Sequence, residues 1–197
     1  MRRPILLFAG LTLLSAAACT REPAVNPDPN HTHADYAVWI EGKRIDFSEE
    51  QFMSGSASDP EHTGALSPYL HLHDGNGHVL HRHKPGLTLT EFFGSLPGIR
   101  YHGSDFIFMD CLSCRHAAGK FTVKLYVNGV EEPLGSEYVF TDKDQILITD
   151  ATDPTELRKE TRMLSDDACM YSRTCPERGD PPTENCIADP TVPCVID

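Results

Sequence analysis

"VKLYVNGVEEP" (residues 123–133) and "YVFTDKDQILI" (138–148) are the stretches on which a fold assignment turns. In the longer run "KFTVKLYVNGVEE" (120–132), Phe121, Val123, Leu125 and Val127 alternate with polar residues. That period of two belongs to a strand with one buried face. The run enters Asn128-Gly129, the pair that accepts positive φ at both centres of a tight hairpin turn. "YVF" and "QILIT" read as the strands that close the domain. Upstream, "TLTEFFGSL" (88–96) carries Thr88 and Glu91 at capping-box spacing. Its apolar Leu89, Phe92, Phe93 and Leu96 share a helical face, and Pro97-Gly98 stops the helix. "DFIFMD" (105–110) is a short strand. "DYAVWIEGKRIDF" (35–47) alternates around Glu41-Gly42 and reads as a hairpin. "SEEQF" (48–52) reads as one helical turn capped by Ser48, with Gln51 reaching back. "MSGSASDPEHTGALSP" (53–68) is loop. The order is hairpin, hairpin, helix, then strands, which predicts an α+β fold with a sheet packed on a helix.

Over roughly residues 87–150, the strand, the Asn-Gly turn, the acidic turn and the final Ile146-Leu147-Ile148 strand resemble β-grasp domains of the extracellular ligand-binding kind. The resemblance implies a small β-grasp-like domain over 31–150, with hairpins and one helix packed on a mixed sheet. It implies no ligand. The combination "HTHADYAVWIEGKRIDFS … LHDGNGHVLHRHKPGLTLTEFF" also resembles an uncharacterised family of exported His-rich domains, which implies no activity.

The first residues predict export. Arg2 and Arg3, the apolar run Ile5 to Leu14 and the small residues Ser15 to Ala18 have the form of a secretory signal peptide over 1–18. Cys19 follows as the cysteine of a lipobox would, although Ala16 stands where that motif usually has Leu. The expectation is a lipidated Cys19 and a membrane contact through the anchor alone, in the cell envelope or periplasm. An ordinary signal peptide cleaved near Ala18 is the alternative. Residues 19–30, rich in Pro and Asn, read as a flexible tether. The net charge is −12, and removing Arg2 and Arg3 takes it to −14. Such a chain repels nucleic acid and anionic lipid, and favours cations.

Beyond Asp150, "DPTELRKETRMLSDD" predicts a short helix capped by Asp153, with Pro154 in its first turn and Glu156 at its positive end. The Cys- and Pro-rich remainder of 151–197 cannot build a core. It is expected to be stapled by disulfides among Cys169, Cys175, Cys186 and Cys194 and to lie on the surface. With Cys19 lipidated, the other six of the seven cysteines could pair in 15 ways.

"YLHLHDGNGHVLHRH" (69–83) holds five of the chain's 10 histidines. Residues i and i+2 of a strand share a face, so His31/His33, His71/His73 and His81/His83 can each present two imidazoles together. The register of the hairpin decides the rest. If His73 opposes His78, the pairs face apart. If His71 opposes His81, four imidazoles share one face, and the expectation is this second register, with Gly75 and Gly77 supplying positive φ for a bulge. Imidazole is the commonest ligand of zinc and copper, and opposed histidines lie close enough to share an ion. The predicted ligands are therefore His71, His73, His81 and His83, helped by His31 and His33, around Cu(II) or Zn(II). Asp35 and Asp74 are candidate acceptors for the distal ring N–H groups. The role would be capture, buffering or delivery of the ion, the receiving protein being open. His62, His78, His102 and His116 read as ordinary polar residues, and a pH-sensitive surface is the alternative for the whole cluster.

Enzyme readings are weaker. His-x-His with a third histidine also builds catalytic zinc sites such as those of carbonic anhydrases. The helical His-Glu-x-x-His of zincins is absent, as is the cupin Glu after His-x-His. Cys114 and His116 have no following Met, so the type-1 copper pattern fails. Cys111 and Cys114 have the spacing of thiol-disulfide oxidoreductases, yet "RHAAG" leaves no room for the helix such a site needs, and a structural disulfide is favoured. A surface interaction module with incidental histidines is the remaining alternative.

Overall fold

Strand β1 (Thr32–Ile40) is buried along its whole length. The computed structural model, which describes residues 24–28, 30–54, 66–109 and 119–182, shows why. β1 lies at the centre of a seven-stranded mixed sheet covered on both faces. β2 (Lys43–Arg44) returns along one end of β1 through Glu41-Gly42, both at positive φ, as the hairpin pattern predicts. β3 (Leu70–His71) and β4 (Val79–Arg82) form the histidine hairpin, and β4 runs antiparallel to the start of β1. Helix α1 (Leu89–Ser95) follows, with its Thr88/Glu91 capping box formed. β5 (Ile99–His102), β6 (Asp105–Phe108) and β7 (Gly119–Thr122) make a separate antiparallel sheet. β8 (Lys124–Val127) and β9 (Val130–Glu131) turn at Asn128-Gly129, both with positive φ. β10 (Gln145–Thr149) inserts beside β1 and runs parallel to it. The main sheet reads β3-β4-β1-β10-β8-β9.

Three local expectations are corrected. "KFTVKLYVNGVEE" is two strands in two sheets: the chain breaks at Val123, whose N–H bonds Ser104 O, and passes from one sheet to the other. Alternation continues through the break, so period alone does not reveal it. "YVF" is not a strand. Phe140 is buried there, and its carbonyl accepts a bond from Arg82. The turn at 48–52 is a 3-10 turn over Glu50–Phe52 without a side-chain cap, because Ser48 donates its N–H to Asp46 and Gln51 bonds Glu49.

The sheet's two faces differ in chemistry. Ala34, Tyr36, Val38 and Ile40 of β1, with Leu80, Ile146 and Ile148, pack on Phe92 and Phe93 of α1 and on the second sheet's Tyr101, Phe106 and Phe108. This aromatic layer is the main core. The opposite face carries His33, Asp35, Ala37 and Trp39 on β1. Ala37, Trp39 and Leu147 there are covered by Leu157 and Leu164 from α2 (Pro154–Thr161) and the residues after it. α2 starts as predicted, with Asp153 accepting from Thr155 N–H and Pro154 in the first turn. α3 (Ala168–Tyr171) covers the histidine end of this face, and the Cys169–Cys175 disulfide ties off its far side. Up to residue 182, the segment expected to lie on the surface takes part in the packing: Ala168 and Ser172 are buried. Among the described residues no helix is long and apolar enough to cross a membrane. The signal peptide, Cys19, Cys111, Cys114, Cys186 and Cys194 fall outside the described residues.

Candidate functional site

The ladder sets the site. His33 opposes His81 across β1 and β4, and His81 opposes His71 across β4 and β3. Three imidazoles therefore stand in one row on one face, in the register expected from the sequence. The intervening residues Thr32, Leu72 and Arg82 belong to the other face, as the period of two requires. Arg82 lies over the Phe140 ring there, and its guanidinium donates to Phe140 O at 2.6 Å. The hairpin loop differs from expectation in one respect. Positive φ falls on Asp74 and Gly75, not on Gly77. Gly77 is required for a different reason: a Cβ there would stand 2.4 Å from Phe47 C and Ser48 N.

All six candidate ligands converge. The ring centroids of His31 and His33 are 4.5 Å apart, those of His31 and His83 4.0 Å, and those of His33 and His81 4.9 Å. His73 and His81 are at 3.9 Å, and His71 and His83 at 4.9 Å. His33, His71, His81 and His83 are buried, while His31 and His73 are half-buried. His31, His33 and His81 each offer a ring nitrogen, and these atoms lie within 4.8 Å of one another, an arrangement compatible with metal binding. His31 and His33, expected as helpers, are two of the three.

Hydrogen bonds set the tautomers. Ser172 Oγ donates its one proton to Asp142 Oδ1 at 2.5 Å, so it accepts from His33 Nδ1 at 2.8 Å. The lone pair of His33 is then on Nε2. In its neutral form, His73 donates from Nδ1 to Asp74 Oδ2 at 2.8 Å and keeps Nε2 as an acceptor. It lies 3.2 Å from His81 Nδ1, so His81 donates there and carries its lone pair on Nε2. His71 Nδ1 donates to Pro68 O at 3.1 Å, with the same consequence. A ligating histidine characteristically has its other N–H held by a carbonyl or carboxylate, which fixes ring orientation and strengthens the donor.

Asp74 thus acts as the sequence suggested, whereas Asp35 does not. Its carboxylate accepts from the N–H groups of Asp167 and Ala168 and docks the start of α3. Burial raises its pKa. His78 bonds Asp167 at 2.9 Å and ties the hairpin loop to the same segment. His102 is exposed on β5, and His62 and His116 fall outside the described residues.

Three residues close the site without any sequence signal. Tyr171 of α3 places its ring 4.8 Å from His81, 5.6 Å from His33 and 6.1 Å from His73, and its hydroxyl accepts from Asn76 at 2.8 Å. Ser172 and Asp142 hold His33. The line Asp142–Ser172–His33 contains the residue types of a hydrolytic triad in the wrong order. The serine proton goes to the aspartate and the histidine donates to the serine, so His33 is not placed as the base for Ser172. Comparison with protein-family models, with curated proteins and with solved structures finds no match.

Proposed function

We propose that this chain is an exported protein, anchored through lipidated Cys19, that binds Cu(II) or Zn(II) through its histidine cluster and serves to capture, buffer or deliver the ion. The observation that carries the reading is the trio His31, His33 and His81. Three imidazole nitrogens meet within 4.8 Å, and two of the rings are turned by hydrogen bonds to point Nε2 as ligand atom. All-nitrogen ligation suits both ions. Net charge −12 favours cation capture over nucleic acid or anionic lipid. The buried setting reduces screening of the ion by salt. The β-grasp reading is supported by the parallel pairing of the first and last long strands at the sheet centre and by α1 packed on one face. The export reading rests on the order of charged, apolar and small residues before Cys19.

The test is metal content. The full-length chain, exported and purified with its disulfide formed, is titrated with Zn(II) and separately with Cu(II), beside His33→Gln/His81→Gln. A stoichiometric, tight ion in the parent that is lost in the variant is the expected result. An equal ion content in both, or none in the parent, would show that the cluster is a structural polar core.

A further inference from the structure

We propose that the Cys169–Cys175 bridge is a redox-sensitive catch on the cover of the histidine cluster, opened by an external dithiol. Its consequence for an ion rests on the metal reading above, whereas the catch itself does not. The bridge closes a loop from Cys169 to Cys175, and Tyr171 and Ser172 lie inside that loop. These two residues meet the cluster. The Tyr171 ring stands 4.8 Å from that of His81, and Ser172 Oγ bonds His33 Nδ1 at 2.8 Å. The closed loop therefore restricts how far both can swing from the histidines. The two sulfurs differ in access. Cys175 is buried and Cys169 is half-buried, so an attacking thiolate reaches Cys169 Sγ first. Arg178 donates to that same sulfur at 3.6 Å. The exchange balances. One thiolate of the dithiol bonds Cys169 Sγ, the bridge breaks, and Cys175 leaves as a thiolate that takes up a proton. The second thiolate then attacks the reagent's sulfur in the mixed disulfide and expels Cys169 as a thiolate beside the Arg178 guanidinium. Two electrons and two protons pass to the bridge, and the dithiol leaves as its own disulfide. A cation beside a thiolate stabilises it, so Arg178 favours the open form. Arg178 also bonds Asp167 at 2.6 Å, and that carboxylate takes part of its charge, so the effect on the sulfur is modest. In an oxidising compartment the bridge stays closed until such a dithiol reaches it. Once it is open, Asp35 and Asp142 still hold the cover, which parts from the histidines more often without being lost.

The full-length chain, purified with its disulfides formed, is equilibrated with mixtures of reduced and oxidised dithiothreitol. Thiol trapping and peptide mass count the open Cys169–Cys175 pairs. Hydrogen exchange of the 167–173 segment reads the cover. Release of preloaded Zn(II) to excess chelator, after the dithiol is removed, reads the ion. Opening should speed both exchange at 167–173 and Zn(II) release by about 3- to 30-fold and leave β1 and β10 unchanged. Arg178→Gln should need about two- to fivefold more reduced over oxidised dithiothreitol for half-opening. An unchanged ratio overturns the proposal, since nothing would then set this bridge apart from a structural one. Cys169→Ser/Cys175→Ser keeps the other cysteines and should exchange fast at 167–173 with or without dithiol. A dithiol effect that persists in that variant overturns the proposal, because another bond then responds. A bridge that opens only when the chain unfolds, or exchange that stays slow once it is open, overturns it too. Faster exchange in a chain that holds no Zn(II) supports the catch and ends the metal reading. Faster exchange with unchanged release from a loaded chain overturns the catch as a control on the ion.

Discussion

Oδ1 of Asp142 accepts from the Ser172 hydroxyl, from the backbone N–H of His33 and from Asn26 Nδ2. One carboxylate oxygen thus fixes both the strand position and the ring tautomer of a central histidine. Asp142→Asn keeps the shape but weakens the acceptor, so the ligands stay in place while their orientation loosens. The expected result is metal affinity lower by about 10- to 100-fold with unchanged stoichiometry, read by chelator competition. Loss of an ion from the count would instead assign Asp142 a ligand's role. A second single-residue test concerns Gly77. A Cβ there would meet the backbone of Phe47 and Ser48 at 2.4 Å, and backbone cannot swing aside as a side chain can. Gly77→Ala should cost about 1–3 kcal/mol as overpacking and lower Tm by several degrees. Gly75→Ala meets nothing within 4 Å and strains only its φ of +71°, so it should cost about 1–2 kcal/mol and less than Gly77→Ala. Equal melting temperatures for the two variants would contradict the close approach. The histidines were legible because a period of two and one register place them on a face. Asp142 and Ser172 were not. They lie 109 and 139 residues from His33 in the chain, and no local pattern marks either.

At the scale of elements, local chemistry spoke clearly where it was self-contained. The capping box of α1, the Asp153 cap of α2 and the turns at Glu41-Gly42 and Asn128-Gly129 each depend on residues within four positions. The break at Val123 depends on Ser104 in the turn between β5 and β6, and alternation ran through it unaltered. α3 is the extreme case. It is four residues long, and tertiary bonds hold it where helix propensity would not. Asp167 at its start illustrates the balance. Partial burial raises the carboxyl pKa, but the bonds from His78 and Arg178, with their charge, outweigh it and hold the group below its ordinary value. The Asp167 charge in turn adds to the burial that pushes the Asp35 carboxyl up. The sign follows from linkage. A carboxyl with a depressed folded pKa stabilises fully above its unfolded value of about 3.9, and that stabilisation disappears as pH falls through the folded value. Denaturation midpoints followed from about pH 5 to 2.5 should therefore fall, and Asp167→Asn should flatten the decline. An identical decline in the variant would remove Asp167 from the account.

The whole molecule is organised around a central strand that is apolar on one face and rich in histidine on the other. Burying the second face required a cover, and the chain beyond β10 provides it. α2 lies over Trp39, and α3 lies over the histidines. This cover is attached through Asp35, through Ser172 to His33 and Asp142, and through Tyr171 to Asn76. The Cys169–Cys175 bridge, six residues apart in sequence, narrows what that segment can do when it is detached. For so short a loop the chain-entropy account gives a contribution of roughly 2 kcal/mol. Cys169→Ser/Cys175→Ser should therefore lower global stability by about that amount. It should act more strongly on ion kinetics than on ion count, because no ligand is removed while the cover opens more often. The expected observation is one unchanged stoichiometry with faster ion release to an excess chelator. Release rates that match the parent would mean that the ions leave by a route the cover does not control. A lost ion would mean that the bridge holds the ligand geometry itself, since neither cysteine is among the six histidines that form the cluster.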